Sequence, residues 1–242
     1  MKMVKRHALR RLSRRFENAI RSYNFAYSGD SMPFLLLIRH GDNDHLRKKI
    51  LYARLPGVHL NAQGRQQAEL LAAALANVPL TAVYASPLER AVETAQPIAA
   101  RADLEVHTDA RLLDTDIGDW QGQPWKTMTR SSFWKAIQSA PGRFRFPGGE
   151  SFLETQVRVV AALEQIITAC RPKDWVAVVF HADPIKLAVA HYIGLPLDHF
   201  QRLACDTGSV TTLSVGEYGA RLIGLNQRPP FALPDLIQSR KR

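Results

Sequence analysis

The chain has 242 residues, 46% of them hydrophobic and 22% charged, proportions of an ordinary globular domain that exclude a disordered or collagen-like polymer. Its formal net charge is +10, but residues 1–31 hold eight Lys/Arg against Glu17 and Asp30 and so supply +6 of that; the remaining +4 fits an anionic small molecule at least as well as a nucleic acid. No apolar run approaches the roughly 20 residues of a membrane helix, which argues against integral membrane association, and two cysteines, Cys170 and Cys205, are too few for a disulfide framework and fit a reducing cytoplasm.

Residues 1–31 have the spacing of a basic amphipathic helix, with Ala8, Leu9, Leu12, Phe16 and Ile20 on one stripe flanked by arginines. Three readings compete for this segment: a poorly ordered extension preceding a start at Met32, a membrane-surface or partner helix, and an organelle transit peptide. The folded domain is expected over 32–242. Phe34 to Ile38 is a continuous apolar run, the pattern of a strand covered on both faces. Gln63 to Asn77 reads as a helix that stops before Pro79. Leu80 to Ala85 is a second strand, followed by Ser86-Pro87 as an N-cap and first helical position for a helix to Arg101. Glu105 to His107 is a short strand. Ser151, with Glu154 three residues on, opens a long helix to Cys170 with a capping box. Trp175 to Phe180 is another buried strand, Pro184 to Ile193 a helix, and Val210 to Val215 with Arg221 to Leu225 two closing strands around a Gly-containing turn. Strands alternating with helices predict an α/β fold: a three-layer α/β/α sandwich around a mostly parallel sheet.

In such a sheet, sites form where strands end and loops begin, and three strand ends here carry reactive side chains. The first strand runs into Arg39-His40-Gly41, the second leads to Ser86-Pro87-Leu88-Glu89-Arg90, and the third runs into His181-Ala182-Asp183-Pro184. Arginine presents a planar fork of donors matched to phosphate oxygens, and helix N-termini add backbone N–H groups for the same anion. A histidine within that setting either donates to phosphoryl oxygens or attacks phosphorus itself, and neighbouring guanidinium groups keep it neutral at pH 7. Asp42, Asp44 and His45 have the chemistry of metal ligands, but neither an EF-hand glycine nor a distal glutamate follows, and Ala53 stands where that glutamate would be. No metal is expected. The aromatics Trp120, Trp125, Phe133 and Trp134 either line a lid over the site or pack into the core.

From Pro33 to Val215 the sequence resembles the histidine phosphatase superfamily, also called phosphoglycerate mutase-like. The resemblance rests on Leu37-Ile38-Arg39-His40-Gly41, on the segment from Pro56 to Ala68, and on Ser86 to Ala95. It continues through Asp116-Ile117-Gly118-Asp119-Trp120-Gln121-Gly122, Gly148-Gly149-Glu150-Ser151 with Arg158, and His181 to Ile185. It implies that His40 is the nucleophile that becomes phosphorylated, and that Arg39, Arg90 and His181 bind the phosphoryl oxygens. It implies a carboxylic acid that protonates the leaving oxygen, usually glutamate; the matching residue is Asp114, with Asp116 two residues on as a stand-in. It further implies a small phosphorylated substrate, no cofactor, and no nucleic-acid partner. The departures are Asp42-Asn43-Asp44-His45 in place of Glu-Thr or Glu-Ser with a following asparagine, and Ala182 in place of glycine. The short interval between Arg90 and His181, and Gly148-Gly149-Glu150-Ser151 with Arg158, resemble the phosphatase branch. The reading is therefore a phosphomonoester hydrolase acting through phosphohistidine, with a phosphoglycerate mutase-type phosphotransferase as the alternative and a catalytically inactive binding relative as a third. Oligomeric state is not encoded in these motifs.

Overall fold

The computed structural model of the protein describes residues 32–216 and 219–230; the expected extension over 1–31, residues 217–218 and the end of the expected domain, 231–242, lie outside them. The strands are β1 (Phe34–Arg39), β2 (Leu80–Ala85), β3 (Val106–Thr108), β4 (Trp175–Phe180), β5 (Val210–Gly216) and β6 (Gly219–Gln227), arranged in one sheet in the order β3-β2-β4-β1-β5-β6. The α-helices are α1 (Asp44–Arg47), α2 (Ala62–Leu75), α3 (Glu89–Arg101), α4 (Trp125–Arg130), α5 (Trp134–Ser139), α6 (Phe152–Ala169) and α7 (Ala182–Tyr192). Strands β1 to β4 pair in parallel, whereas β5 is antiparallel to β1 and β6 is antiparallel to β5. The mostly parallel sheet thus carries an antiparallel hairpin at one edge, because a tight turn permits only antiparallel pairing, while parallel neighbours need a helical crossover.

Both faces of β1 and β4 are covered, which is why β1 is apolar up to Ile38 and β4 throughout. Alternate residues of a strand point to opposite faces: Phe34, Leu36 and Ile38 pack with Leu71 and Leu75 of α2 and Ala91, Ala95 and Ile98 of α3. Leu35 and Leu37 pack instead with Val159, Leu163 and Ile166 of α6 and Ile185, Ala188 and Val189 of α7. The result is the expected three-layer sandwich. Helix α6 begins with the complete capping box, the Ser151 side chain accepting from the Glu154 amide and Glu154 accepting from the Ser151 amide. Helix α3 departs from expectation: it starts at Glu89 with Leu88 as a cap that makes no side-chain bond, and Ser86, two residues before that cap, accepts from the Leu88 amide at 3.5 Å while meeting His181 at 2.8 Å.

A third core cluster under α4 and α5 joins Trp120, Phe144, Phe146, Phe152 and Phe200. The four aromatics divide between the two roles considered for them. Trp120 is buried in this cluster and Trp134 packs against it. Phe133 is half-exposed but stacks near Trp120 and Phe144. Trp125, 43% exposed, lines a cleft.

Candidate active site

Strands β1, β4 and β2 are neighbours, with Arg39 level with Phe180 and Ala85 level with Val179. The ladder continues one residue past the strands: the His40 amide donates to the Phe180 carbonyl (3.0 Å) and the Ser86 amide to the Val179 carbonyl (2.9 Å). This register brings His40, Ser86 and His181 together, all buried, with the two imidazole centroids 5.2 Å apart. Gly41 and Gly64 permit the close approach of the α2 N-terminus. A Cβ on Gly41 would lie 2.6 Å from the Gly64 carbonyl oxygen, and a Cβ on Gly64 would lie 2.1 Å from that of Asp42.

Hydrogen bonds fix the tautomer of each histidine. His40 Nδ1–H donates to the Gly41 carbonyl at 2.7 Å, which leaves Nε2 with its lone pair. Burial, with the charges of Arg90 and Arg39, lowers the His40 pKa well below the ordinary value, against the Gly41 bond that raises it. His181 Nδ1 lies 3.3 Å from Arg90 Nη2, a group that only donates, so Nδ1 accepts and Nε2–H donates to Ser86 Oγ at 2.8 Å. Burial, then Arg90, His40, Arg39 and Arg158, lowers the His181 pKa likewise.

The guanidinium of Arg90 is completely buried. Its Nη2 donates to the Ala53 carbonyl, which Ala53 presents from an unusual φ of 24°. Its Nε and Nη1 are buried without a partner among the described residues, as is Arg39 Nε, while Arg39 Nη1 donates to the Cys205 carbonyl at 2.7 Å. An unpartnered buried donor costs about 1–3 kcal/mol. Three such donors on two guanidinium groups, beside two histidines held towards the neutral form, are chemically suited to the oxygens of a tetrahedral oxyanion.

Asp114 completes the cluster. Its Oδ2 lies 3.6 Å from Arg90 Nη2 and 3.8 Å from His181 Nδ1. Burial raises its pKa from 3.8 to about 6, with Arg90 pulling the other way and Asp183 adding to the rise. Asp116 is differently employed: it pairs with Arg54 Nη1 at 3.4 Å and accepts from the Gly118 amide. It belongs to a charge network centred on Glu150, which binds Arg54 Nη2 (2.7 Å) and Arg158 Nη2 (2.8 Å). Burial would raise the Glu150 pKa, but hydrogen bonds from Arg158 and the Asp116 amide, with the charges of Arg158 and Arg54, hold it at about 2. The same two arginines grip the Asp114 backbone carbonyl, from Arg54 Nε at 2.8 Å and Arg158 Nη2 at 3.1 Å. The network therefore sets where the Asp114 side chain begins.

Several contributors were given no catalytic or phosphate-binding role by the sequence. Tyr52 places its ring 4.8 Å from the Arg90 guanidinium, and Thr94 accepts from the Gly41 amide at 3.0 Å. Asn43 caps α1 through Oδ1 while its Nδ2 is buried and unpartnered. Ser86 was visible in sequence only as a helix cap. Asp42 is tied to Arg47 and to the Asn43 amide. Among the described residues no group of three or more His, Cys, Asp or Glu is arranged to hold a metal ion, and no helix is long and apolar enough to cross a membrane.

Known proteins share this arrangement of sequence and fold. The model of the histidine phosphatase superfamily (branch 1) matches residues 35–228. Phosphoserine phosphatase 1 of Hydrogenobacter thermophilus is 30% identical over 198 residues, spanning 79% of this chain and 91% of that protein. A 2,3-bisphosphoglycerate-dependent phosphoglycerate mutase of Thermoplasma acidophilum is 30% identical over 186 residues, spanning 76% and 88%. The native structure of a mycobacterial glucosyl-3-phosphoglycerate phosphatase superimposes with a TM-score of 0.73 at 26% identity, covering 80% of this chain and 98% of that one. The chain belongs to the histidine phosphatase superfamily, branch 1.

Proposed function

We propose that the protein is a phosphomonoester hydrolase that acts on a small phosphorylated metabolite through a phosphohistidine on His40. The observation that carries this reading is the buried Arg90, with Nε and Nη1 unpartnered and Nη2 3.3 Å from His181. A phosphoryl group supplies the acceptors those donors lack. Arg39, Arg90 and His181 bind its oxygens and neutralise the charge that spreads over them in the transition state. His40, held as the Nδ1–H tautomer by Gly41, uses the Nε2 lone pair to form the N–P bond as the ester P–O bond breaks. Asp114, raised to about pKa 6, gives its proton to the departing alkoxide. Water then attacks phosphorus, Asp114 takes the water proton, and the N–P bond breaks to release phosphate and restore neutral His40.

The names of two relatives, a phosphoserine phosphatase and a glucosyl-3-phosphoglycerate phosphatase, support water as the acceptor. Two free thiols, Cys170 and Cys205, support a cytoplasmic site of action. The test is His40→Ala. Phosphate release from a broad panel of monoesters falls to the residual rate that positioning alone provides, and quenched wild type, but not the variant, carries an acid-labile, alkali-stable phosphoryl label. Full activity in the variant refutes the covalent route.

A further inference from the structure

The phosphate end of the site opens into a cleft of about 580 Å³ with two unlike walls. One wall comes from the strand ends and α7, and its charged groups are already occupied. Lys186 pairs with Asp183 at 2.7 Å and lies over the Phe200 ring at 5.1 Å, while Arg39 and Asp114 belong to the phosphate cluster. The opposite wall is mainly apolar, formed by Leu46, Ile50, Leu51, Ile117 and Trp125, with Lys49, Tyr52 and Thr115 as its polar-ended members. The Leu51 amide donates to Gln123 (2.8 Å), the Gly122 amide to Leu51 (2.7 Å) and the Trp125 amide to Lys49 (2.7 Å). These bonds stitch residues 49–51 to residues 122–125.

Trp125 is the anomaly on that wall. Trp120, Phe144, Phe146 and Phe152 all bury their rings in the cluster beneath it, yet Trp125 remains 43% exposed, facing a concave space continuous with Asp114. An aromatic surface in the same cleft as Asp114, the proposed proton donor, serves a leaving group with an apolar face of its own.

We infer that this site prefers phosphomonoesters whose leaving alcohol carries an apolar ring next to the ester oxygen, stacked on Trp125, over short acyclic polar ones. The inference rests on the phosphatase reading above. A ring that covers on the order of 60–100 Å² of apolar wall raises kcat/KM by about 10- to 50-fold.

The experiment compares kcat/KM for benzyl phosphate and cyclohexylmethyl phosphate with that for glycerol 3-phosphate and phosphoserine, in wild type, Trp125→Ala and Trp125→Phe. All four esters release poorly departing alkoxides, so the comparison reports binding of the leaving group. The ratio of ring to acyclic substrates is independent of how much enzyme is folded. The expected result is a ratio of about 10 or more in wild type, largely kept by Trp125→Phe and falling towards 1 in Trp125→Ala. Hydrolysis of all four with no ring preference, or a preference that survives in Trp125→Ala, overturns the inference and leaves the phosphatase reading standing. No phosphate release from any of the four by wild type overturns both.

Discussion

Replacing Asp114 by Asn tests the assignment of the proton donor, because the structure fixes both the pH at which the carboxyl ionises and the partners it keeps. Burial holds the Asp114 pKa at about 6, whereas burial and the arginines hold the His40 pKa well below its ordinary value. Above pH 6 the nucleophile is therefore ready and the acid is being lost. For an ester with a poor leaving group, kcat/KM of the wild type falls about tenfold per pH unit above 6, since it reports the ionisation of free enzyme. Asn preserves the side-chain size and holds no transferable proton. A general acid contributes about 10² to 10⁴ in rate. The advantage of wild type over Asp114→Asn is accordingly greatest near pH 5–6 and shrinks about a hundredfold by pH 8. Comparing the two proteins on the same ester cancels the substrate's own phosphate ionisation near pH 6. An activated aryl phosphate, whose phenolate departs unprotonated, shows a much smaller loss. Equal slowing of both ester types, or an advantage that does not change with pH, refutes the acid role. Leaving-group dependence in Asp116→Asn instead moves the role two residues along.

The same substitution has a stability consequence of opposite sign. A carboxyl whose folded pKa lies above its ordinary value of 3.8 is less readily ionised in the native state, so its contribution to stability declines as pH rises from about 4 to about 6 and stays lowered above. A displacement of this size corresponds to about 3 kcal/mol, which Asn does not carry. Asp114→Asn therefore melts several degrees above wild type at pH 8 and shows no such gain at pH 4. A site assembled for chemistry rather than for stability behaves in this way.

Two further substitutions address the supports of the site. Glu150→Gln removes the anion shared by Arg54 and Arg158, and because the Glu150 pKa is held at about 2 its stabilisation is present above the ordinary carboxylate range and lost as pH falls towards 2. The variant melts lower than wild type by an amount corresponding to about 3 kcal/mol at pH 7, and the gap in thermal unfolding closes between pH 4.5 and pH 2. Gly64→Ala places a Cβ 2.1 Å from the Asp42 carbonyl oxygen, so α2 must move off the His40 loop. Calorimetry is expected to give a loss of about 1–3 kcal/mol, with kcat/KM falling alongside it.

The layers of the fold were legible because their signals are periodic or local. Continuous apolar runs at Phe34 to Ile38 and Trp175 to Phe180 state that both faces are covered, and Ser151 with Glu154 states where α6 begins. The short helices α1, α4 and α5 were not read, because four to six residues are too few to show a period. The grouping of His40, Arg90 and His181 was legible because each stands at a strand end or in the first helical turn after one. Tyr52 and Thr94 reach the cluster from a loop and from the helix face four residues beyond Arg90, positions that only the placing of β1 and β2 on either side of β4 defines. Ser86 shows how one residue serves two purposes: a serine before a helix reads as a cap by sequence, but the helix begins only at Glu89, and the Ser86 hydroxyl accepts from the Leu88 amide while meeting His181. The choice between Asp114 and Asp116 is likewise tertiary. Two carboxylates two residues apart look alike in sequence, and they separate only when Arg54 and Gly118 occupy Asp116 and leave Asp114 facing Arg90 and His181.

One physical condition sets both halves of the proposed reaction. Removing water from the cluster disfavours whichever form of a group is charged. For His40 and His181 that form is the protonated one, so burial leaves imidazole neutral and His40 nucleophilic. For Asp114 it is the ionised one, so burial keeps a proton on the carboxyl to a higher pH. The arginines reinforce the first effect and oppose the second, and burial is the larger influence on all three groups. A more hydrated pocket would move nucleophile and acid together in the wrong directions, the histidines towards imidazolium and the aspartate towards carboxylate. Asp114 is held where this balance is struck, its carbonyl gripped by Arg54 and Arg158 on the network side and its carboxyl turned to Arg90 on the dry side. A substitution that admits water near Arg90 without touching any of these residues should therefore lose activity from both ends of the pH profile at once.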